Sequence, residues 1–408
     1  MSACTPAPPR TRCERNVRSP PGIPAKCGSG PPVFRKVETR VAAHVPPCTI
    51  VKNSDGRDAL LLVDQRFGFE LWQWGQRGLT RIDSGPLPAG PTRWSPEWPT
   101  GGQMRAVDAD QDGRTDLLIC GHSPTPGECW LWLRTSEQGF DPGVVAFSTP
   151  SGKGSILTPL PGDFNCDGAT DLAGFHWDGR GRLRVWLGGG QGLFPRHVDT
   201  DWDSGPGAWP RFPPADGVAD LDGDGNLDLF GFHEAAPMSA GDVSCMLGSV
   251  VGRFHSAVLL EGENAGYGWI GAVAGDLNGD GVDELIVRRN GWVPDKAAEP
   301  NLIAVFRVFA GGYSMSQAIF EEVSPALVGS ESALRVGHLT CPGRVDVVTG
   351  DRALLRTDAS GKLGAPIELA FGRPTKFDAV ADLTGDGLDD LVSCSGTNVT
   401  VWINETRQ

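Results

Sequence analysis

The chain has 408 residues with 56 Gly, 33 Pro and 39% hydrophobic residues, a composition that predicts many turns between short strands. The formal net charge of −14 argues against binding to the phosphate backbone of nucleic acids. No apolar run approaches the roughly 20 residues that a membrane-spanning helix needs, so no transmembrane segment is expected.

The N-terminal segment, residues 1–30, is rich in Pro, Arg and Gly and lacks the apolar core of a secretory signal. We therefore predict that residues 1–30 are disordered and that residues 31–408 form one folded domain. Met1-Ser2-Ala3-Cys4 resembles the end of a bacterial lipoprotein cleavage site. If translation starts upstream, Cys4 is expected to carry a lipid.

An acidic repeat dominates the rest of the chain. The pattern Asp-x-(Asp/Asn/Thr)-x-Asp-Gly-x-x-(Asp/Glu)-Leu occurs five times, in segments that we call loops 1 to 5, beginning at Asp108, Asp163, Asp220, Asp276 and Asp382. Two worn copies, Asn53–Asp58 and His338–Asp346, have lost most of the carboxylates. The seven copies recur about every 55 residues, which predicts one four-stranded propeller blade per copy.

Each copy lies between short apolar runs, and no long helical periodicity is present. A further run with a tryptophan follows several copies, and we predict that Trp132, Trp186 and Trp402 pack between sheets. Only two strands fit after loop 5, so Val33–Val41 is expected to complete the last sheet from the N-terminus. The predicted fold is all-β, a seven-bladed β-propeller with calcium-binding loops.

Two of the ten cysteines, Cys120 and Cys129, flank a turn-rich segment between two apolar runs. A disulfide across this hairpin and two buried free thiols are both compatible with the sequence. No Cys-x-x-Cys occurs, so a zinc ribbon or a thioredoxin-like site is not indicated.

The acidic loops place oxygen donors at positions 1, 3, 5 and 9, with Gly at position 6 for a sharp turn. The predicted metal ligands are Asp108, Asp110, Asp112, Asp116, Asp163, Asn165, Asp167, Asp171, Asp220, Asp222, Asp224, Asp228, Asp276, Asn278, Asp280, Glu284, Asp382, Thr384, Asp386 and Asp390. Such donors fit about five structural Ca²⁺ ions better than Mg²⁺, whereas acidic turns held by hydrogen bonds alone are the alternative. The worn copies are expected to hold no ion.

The repeat, with turns such as Val185-Trp186-Leu187-Gly188, resembles the FG-GAP/VCBS repeats that form the propeller of integrin α-subunits and of many secreted microbial proteins. Gly174-Phe175-His176 and Gly231-Phe232-His233 are in addition similar to motifs of fungal propeller lectins of the Psathyrella type. The repeat resemblance covers roughly residues 31–408 and implies that the acidic loops lie on one face of the propeller.

On the opposite face we predict a ligand site built from aromatic and histidine side chains, because tryptophan rings stack on sugars. The candidates are Trp94, Trp98, His122, His176, Trp177, Trp209, His233 and Trp269. The function indicated is a secreted or cell-surface binding module, monomeric, with a glycan as ligand. A propeller that binds extracellular proteins is the first alternative, and a lyase or other propeller enzyme is the second. Packing in the core is the alternative for each aromatic side chain.

Overall fold

The computed structural model describes residues 32–45, 48–53, 56–64, 67–88, 103–120, 128–134, 139–148, 157–177, 181–201, 217–233, 242–260, 268–290, 302–308, 320–323, 334–349, 353–355, 362–364, 367–369, 371 and 377–406. The regular elements in these ranges are all β-strands. Within them, no helix has the length and apolarity that crossing a membrane requires.

The first strand, β1 (Phe34–Val45), precedes three four-stranded sheets. Blade 1 contains β2 (Thr49–Lys52), β3 (Asp58–Val63), β4 (Gly68–Gly75) and β5 (Gly78–Pro86). Blade 2 contains β6 (Gln103–Val107), β7 (Asp116–Cys120), β8 (Glu128–Trp132) and β9 (Val144–Ser148). Blade 3 contains β10 (Leu157–Gly162), β11 (Asp171–Trp177), β12 (Gly181–Leu187) and β13 (Arg196–Asp201).

Three further four-stranded sheets follow in the same sequential order. Blade 4 contains β14 (Gly217–Ala219), β15 (Asp228–His233), β16 (Asp242–Gly248) and β17 (Phe254–Leu260). Blade 5 contains β18 (Gly268–Gly275), β19 (Glu284–Asn290), β20 (Leu302–Phe306) and β21 (Phe320–Val323). Blade 6 contains β22 (Leu334–Gly337), β23 (Asp346–Thr349), β24 (Ala353–Leu355) and β25 (Ile367–Glu368).

The last sheet, which we call the closing sheet, joins the two ends of the chain. It contains β26 (Ala379–Ala381) and the long β27 (Asp390–Asn404), with β1 as its third strand. β1 is antiparallel to β27, with Phe34 opposite Asn404 and Arg40 opposite Asn398. This pairing confirms that the N-terminal strand completes the last sheet.

The prediction of seven four-stranded blades is wrong in its count. Within the described residues the protein has six four-stranded blades, and the closing sheet has three strands. The difference arises because the two expected strands form one unbroken element, β27, which pairs with β26 near Leu391 and with β1 near Val401. This element folds back on itself, since the N–H of Asn404 at its end donates to Asp390 at its start (2.8 Å) and Gly396 between them has a φ of +60°. The sequence had suggested two separate strands over this segment.

The second strand of each blade is buried on both sides because neighbouring sheets pack against each of its faces. In β3, Leu61 packs toward blade 2, whereas Leu60 and Leu62 pack toward the closing sheet. This explains continuous apolar runs where a sheet with one solvated face would show alternation. Seven such apolar clusters join successive sheets around the ring, including the clusters between blade 6 and the closing sheet and between the closing sheet and blade 1.

The three tryptophans expected in the core are buried between sheets. Trp132 is fully buried between blades 1 and 2, Trp186 lies between blades 2 and 3, and Trp402 lies between blade 6 and the closing sheet. The prediction that these side chains serve packing is therefore confirmed.

Two disulfides with both cysteines in the described ranges reinforce the sheets. Cys120 and Cys129 lie opposite each other in β7 and β8 and are bonded, which decides between the two alternatives left by the sequence. Cys48, just before β2, is bonded to Cys394 in β27, and their Cα atoms are 6.3 Å apart. This second bond, which the sequence did not predict, links blade 1 to the closing sheet.

Candidate metal loops and ligand face

Loops 1 to 5 each connect the first strand of a sheet to the second, as the sequence predicted. Loop 1 lies between β6 and β7, loop 2 between β10 and β11, loop 3 between β14 and β15, loop 4 between β18 and β19, and loop 5 between β26 and β27. The glycine at position 6 has a φ between +82° and +89° in all five loops. An L side chain rarely adopts this conformation, which explains the glycine.

The carboxylate at position 9 holds each loop to its sheet. In loop 1, Asp116 is fully buried, and its two oxygens accept backbone N–H groups of Ala109 (2.9 Å) and Arg134 (2.8 Å). Asp171, Asp228 and Asp390 accept the corresponding pairs in loops 2, 3 and 5. The carboxylate at position 9 thus serves as the acceptor for backbone N–H groups where the strand pairing ends.

The carboxylate at position 1 curls the loop around itself. One oxygen of Asp108 accepts the N–H of Gly113 (3.1 Å), and one oxygen of Asp220 accepts the N–H of Gly225 (3.0 Å). The other oxygen, Oδ1 in both residues, is buried and has no hydrogen-bond partner. A buried carboxylate oxygen without a donor is costly, so these two atoms point to a cation that the loops would hold.

Loops 1 and 3 also bring three carboxylates together. One oxygen from each of Asp108, Asp110 and Asp116 lies within 4.8 Å of the others, and Asp220, Asp222 and Asp228 form the same arrangement. Hard oxygen donors at this spacing fit Ca²⁺, which takes six to eight oxygens in a flexible shell. The donor sets of loops 1 and 3 therefore fit a calcium ion.

Loops 2 and 5 satisfy position 1 differently. Oδ1 of Asp163 accepts the N–H of Asp167 (3.1 Å), and Oδ1 of Asp382 accepts the N–H groups of Gly385 (2.7 Å) and Asp386 (3.1 Å). Position 3 is Asn or Thr in these loops and Asp in loops 1 and 3. At positions 1, 3, 5 and 9, loops 2 and 5 thus have one carboxylate fewer than loops 1 and 3, and position 1 is hydrogen-bonded within the loop.

Burial and mutual repulsion raise the pKa of many loop carboxyls. Burial is the larger cause and raises the pKa of Asp116, Asp171 and Asp390 to about 7 and that of Asp220 to about 6. Backbone hydrogen bonds oppose these shifts, whereas neighbouring carboxylates of the same loop add to them. The carboxylates of such loops repel one another when all are ionised, and a bound divalent cation would favour the ionised forms.

The worn copy in blade 6 keeps hydrogen bonds like those of the acidic loops. Asp346 keeps position 9 and accepts both the N–H (2.8 Å) and the hydroxyl (2.7 Å) of Thr340. The ring Nδ1 of His338 lies 3.0 Å from the carbonyl oxygen of Arg344. The copy keeps its turn without the acidic cluster, and its lack of an ion stays a prediction. The copy at Asn53–Asp58 falls partly outside the described residues.

The sequence analysis missed a set of contacts between neighbouring loops, made by the residue at position 8. The Thr170 hydroxyl of loop 2 donates to the carbonyl of Asp108 in loop 1 (2.7 Å). Asp283 of loop 4 accepts the N–H of Asp220 in loop 3 (3.2 Å), and its own N–H donates to the Asp220 carbonyl (2.9 Å). A polar residue at position 8 in several copies was the available signal.

The opposite face, predicted to bind the ligand, falls largely outside the part of the chain that the structure describes. Trp94, Trp98, His122 and Trp209 lie outside the described residues. The backbone of His176 and Trp177 lies at the end of β11, that of His233 at the end of β15 and that of Trp269 near the start of β18. The side chains of these four are not described either, so the ligand site stays a prediction.

The ring of sequential antiparallel sheets defines this chain as a β-propeller protein. Residues 220–287, which span loop 3 to most of β19, match the family model of the FG-GAP-like repeat. The match confirms the predicted repeat resemblance over this segment. A comparison with curated proteins returned no matching sequence.

Solved structures with a similar fold are also propellers. One is an Agrocybe aegerita lectin, described for specific recognition of non-reducing terminal N-acetylglucosamine: 18% identity, TM-score 0.57, covering 89% of this chain and 86% of the lectin. Another is BBS1N in complex with ARL6DN: 10% identity, TM-score 0.52, covering 92% of this chain and 98% of that one. At these identities the similarity establishes the fold alone.

Proposed function

We propose that the protein is a calcium-stabilised extracellular propeller that binds glycans. The observation that carries the calcium part is the pair of buried, unpartnered oxygens, Oδ1 of Asp108 and Oδ1 of Asp220. Each belongs to a group of three close carboxylates. A dication would supply the missing partner.

In loops 1 and 3 the ion would be held by positions 1, 3, 5 and 9, and loops 2 and 5 offer the same positions with an Asn or Thr at position 3. The ion would supply positive charge and rigidity where each blade begins. At a calcium concentration 100 times the dissociation constant, each ion stabilises the folded state by about 2.7 kcal/mol. Loop 4 differs and is treated below.

We further propose that the closing sheet serves as the seventh blade. It packs on blade 6 through Trp402 and on blade 1 through Val399 and Val401, as a blade would. The disulfides at Cys48–Cys394 and Cys120–Cys129 favour an oxidising compartment, which supports a secreted or cell-surface location.

The glycan part rests on two supports. The fold is similar to that of a lectin described for recognition of terminal N-acetylglucosamine, and the sequence repeats tryptophan and histidine in segments predicted to lie on the face opposite the acidic loops. Tryptophan faces and sugar rings stack well, whereas histidine and nearby polar groups bind hydroxyls.

The test is a glycan array that includes terminal N-acetylglucosamine, probed with the folded protein in calcium and again in excess chelator. We expect binding to a defined glycan set that is lost or weakened at least tenfold in chelator. Trp209→Ala and Trp269→Ala should each weaken binding. Trp74→Ala, a partly buried tryptophan between blade 1 and the closing sheet, is the matched control and should retain it.

The calcium part is read separately, by native mass spectrometry of the same protein. An array without signal from calcium-loaded protein would overturn the glycan assignment and direct the search to protein ligands. A protein that takes up no calcium would overturn the metal assignment, whatever the array shows.

A further inference from the structure

Loop 4 is in contact with a positively charged side chain of the protein, that of Arg307. Arg307 immediately follows β20, the third strand of blade 5. Its Nη2 donates to Oδ2 of Asp280 at position 5 (2.9 Å) and to Oε1 of Glu284 at position 9. The Glu284 side chain is 1% exposed, so this ion pair lies at the inner end of the loop. A guanidinium thus bridges two of the positions that would bind calcium.

The sheet register shows that this arginine is peculiar to blade 5. In β19 and β20, Leu285 is opposite Phe306, the residue before Arg307. This pair corresponds to Leu117–Trp132, Leu172–Trp186 and Leu229–Met246 in blades 2 to 4. One residue further along the chain stand Leu133, Leu187, Leu247 and, after Trp402, Ile403; in blade 5 it is Arg307. Among the five sheets with an acidic loop, this position is therefore charged only in blade 5, where the side chain reaches loop 4.

Glu284 is adapted to this partner. Position 9 is Asp in the other four loops, where both oxygens accept backbone N–H groups. In loop 4, Oε2 of Glu284 accepts the N–H of Leu277 (2.9 Å), and Oε1 accepts the side-chain amide of Asn278 (2.9 Å) as well as Arg307. The longer side chain keeps the backbone bond and brings the other oxygen to the arginine.

These contacts work against an ion in loop 4. The Asn278 amide directs its N–H, a donor, at Glu284, and a guanidinium close to the same oxygens repels a second cation. Loop 1 offers the contrast. There Arg114 pairs with Asp112 and with the carbonyl of Arg134, while the carboxylates of Asp108, Asp110 and Asp116 remain together. In the described residues, loop 4 forms no such three-carboxylate group.

We propose that Arg307 takes the place of calcium in loop 4, so that this loop is a metal-independent joint between blades 4 and 5. The protein then binds one ion fewer than it has acidic loops. The inference rests on the proposed calcium binding of the other loops. Blade 5 is expected to keep its loop structure when calcium is removed.

The test compares calcium counts by native mass spectrometry for the natural protein, Arg307→Gln and Arg307→Lys. We expect Arg307→Gln to gain one ion, because the carboxylates lose their counter-charge. Arg307→Lys should gain none, because it retains a cation. Arg184→Gln is the matched control: it breaks the pair between Arg184 and Asp199 on β12 and β13, away from every loop, and should leave the count unchanged. Equal counts for the natural protein and Arg307→Gln would overturn the inference.

A second comparison leaves Arg307 in place and so does not depend on how its variants fold. Asp280→Asn in loop 4 should leave the calcium count unchanged, whereas Asp224→Asn at the same position of loop 3 should lower it by one. Loss of an ion in Asp280→Asn would also overturn the inference. If the natural protein bound no calcium, the metal assignment of the other loops would be wrong. The effect of Arg307→Gln could still be judged, because it is the difference in calcium count between the variant and the natural protein.

Discussion

At the scale of single residues, position 3 separates the acidic loops into two kinds. Asp110 and Asp222 accompany a position-1 carboxylate with an unpartnered oxygen, whereas Asn165 and Thr384 accompany one that is hydrogen-bonded within its loop. In loops 1 and 3 the Asp at position 3 is a fourth carboxylate at the donor positions, which raises the repulsion between them, and internal N–H groups do not compensate for it. Loops 1 and 3 are therefore expected to bind calcium more tightly than loops 2 and 5.

The raised pKa values give a pH prediction for the protein in chelator. Asp116, Asp171 and Asp390 have a pKa of about 7 in the folded state, above the ordinary value of 3.8 that the unfolded chain is taken to have. The folded state then holds more protons than the unfolded state. The contribution of these three carboxyls to the free energy of unfolding is therefore largest below pH 4 and is lost as the pH rises to 7. Calcium binds the ionised carboxylates and reverses this trend.

The measurement is the melting temperature with calcium and with chelator, at pH 5 and at pH 8. We expect the difference between the two conditions to widen clearly at pH 8. A difference that is the same at both pH values would contradict the charge state assigned to these carboxyls.

At the scale of elements, the second strand of a blade packs against both neighbouring sheets. β3 and β7 are buried on both faces, and the apolar clusters on their two sides belong to different neighbours. The residue at position 8 adds polar links between successive loops, as in the bonds between Asp283 and Asp220. Neighbouring blades are thus joined both in the core and on the loop face.

The two described disulfides should differ in their effect on stability. Cys48 and Cys394 are 346 residues apart in sequence, whereas Cys120 and Cys129 are 9 apart. A cross-link over a longer loop removes more chain entropy from the unfolded state, and the model-dependent difference is about 3 kcal/mol.

Both cysteines of each bond are replaced by serine, and thermal unfolding is followed in calcium. The melting temperature should fall more for the Cys48/Cys394 pair than for the Cys120/Cys129 pair. An equal or smaller fall would show that the long bond adds little to ring closure.

At the scale of the whole molecule, the ring is closed by the two ends of the chain. β1 pairs with β27, and the N–H of Val33 donates to the hydroxyl of Thr406 (3.0 Å). Closure covers sheet edges that would otherwise pair with other chains. It also completes the apolar cluster between the closing sheet and blade 1.

A truncation tests this closure. Ending the chain after Thr397 removes Val399, Val401 and Ile403, which are buried between the closing sheet and blade 1. We expect the product to aggregate, or to melt far below the natural protein, because an apolar face and a strand edge are exposed. Ending the chain after Thr406 retains every described strand and is the control. The measurements are gel filtration and thermal melting. If the chain that ends after Thr397 were monodisperse and melted like the natural protein, the role of β27 would be contradicted.

Much of the architecture could be predicted from the sequence because the repeat is local. The acidic pattern and its flanking apolar runs predicted the strand–loop–strand unit, the turn glycines and the N-terminal strand of the closing sheet. The count of four-stranded blades could not be predicted, because Asp390–Asn404 forms one unbroken element that folds back at Gly396 and pairs with both β26 and β1.

The sequence by itself determined the donor atoms of the acidic loops, since their spacing is fixed within ten residues of chain. Only the tertiary structure decided which donors are left without partners, because that depends on groups brought in from other strands. Arg307 is 23 residues beyond Glu284 and reaches it through the pairing of β19 with β20. The bond between Cys48 and Cys394 likewise exists because ring closure brings distant segments together.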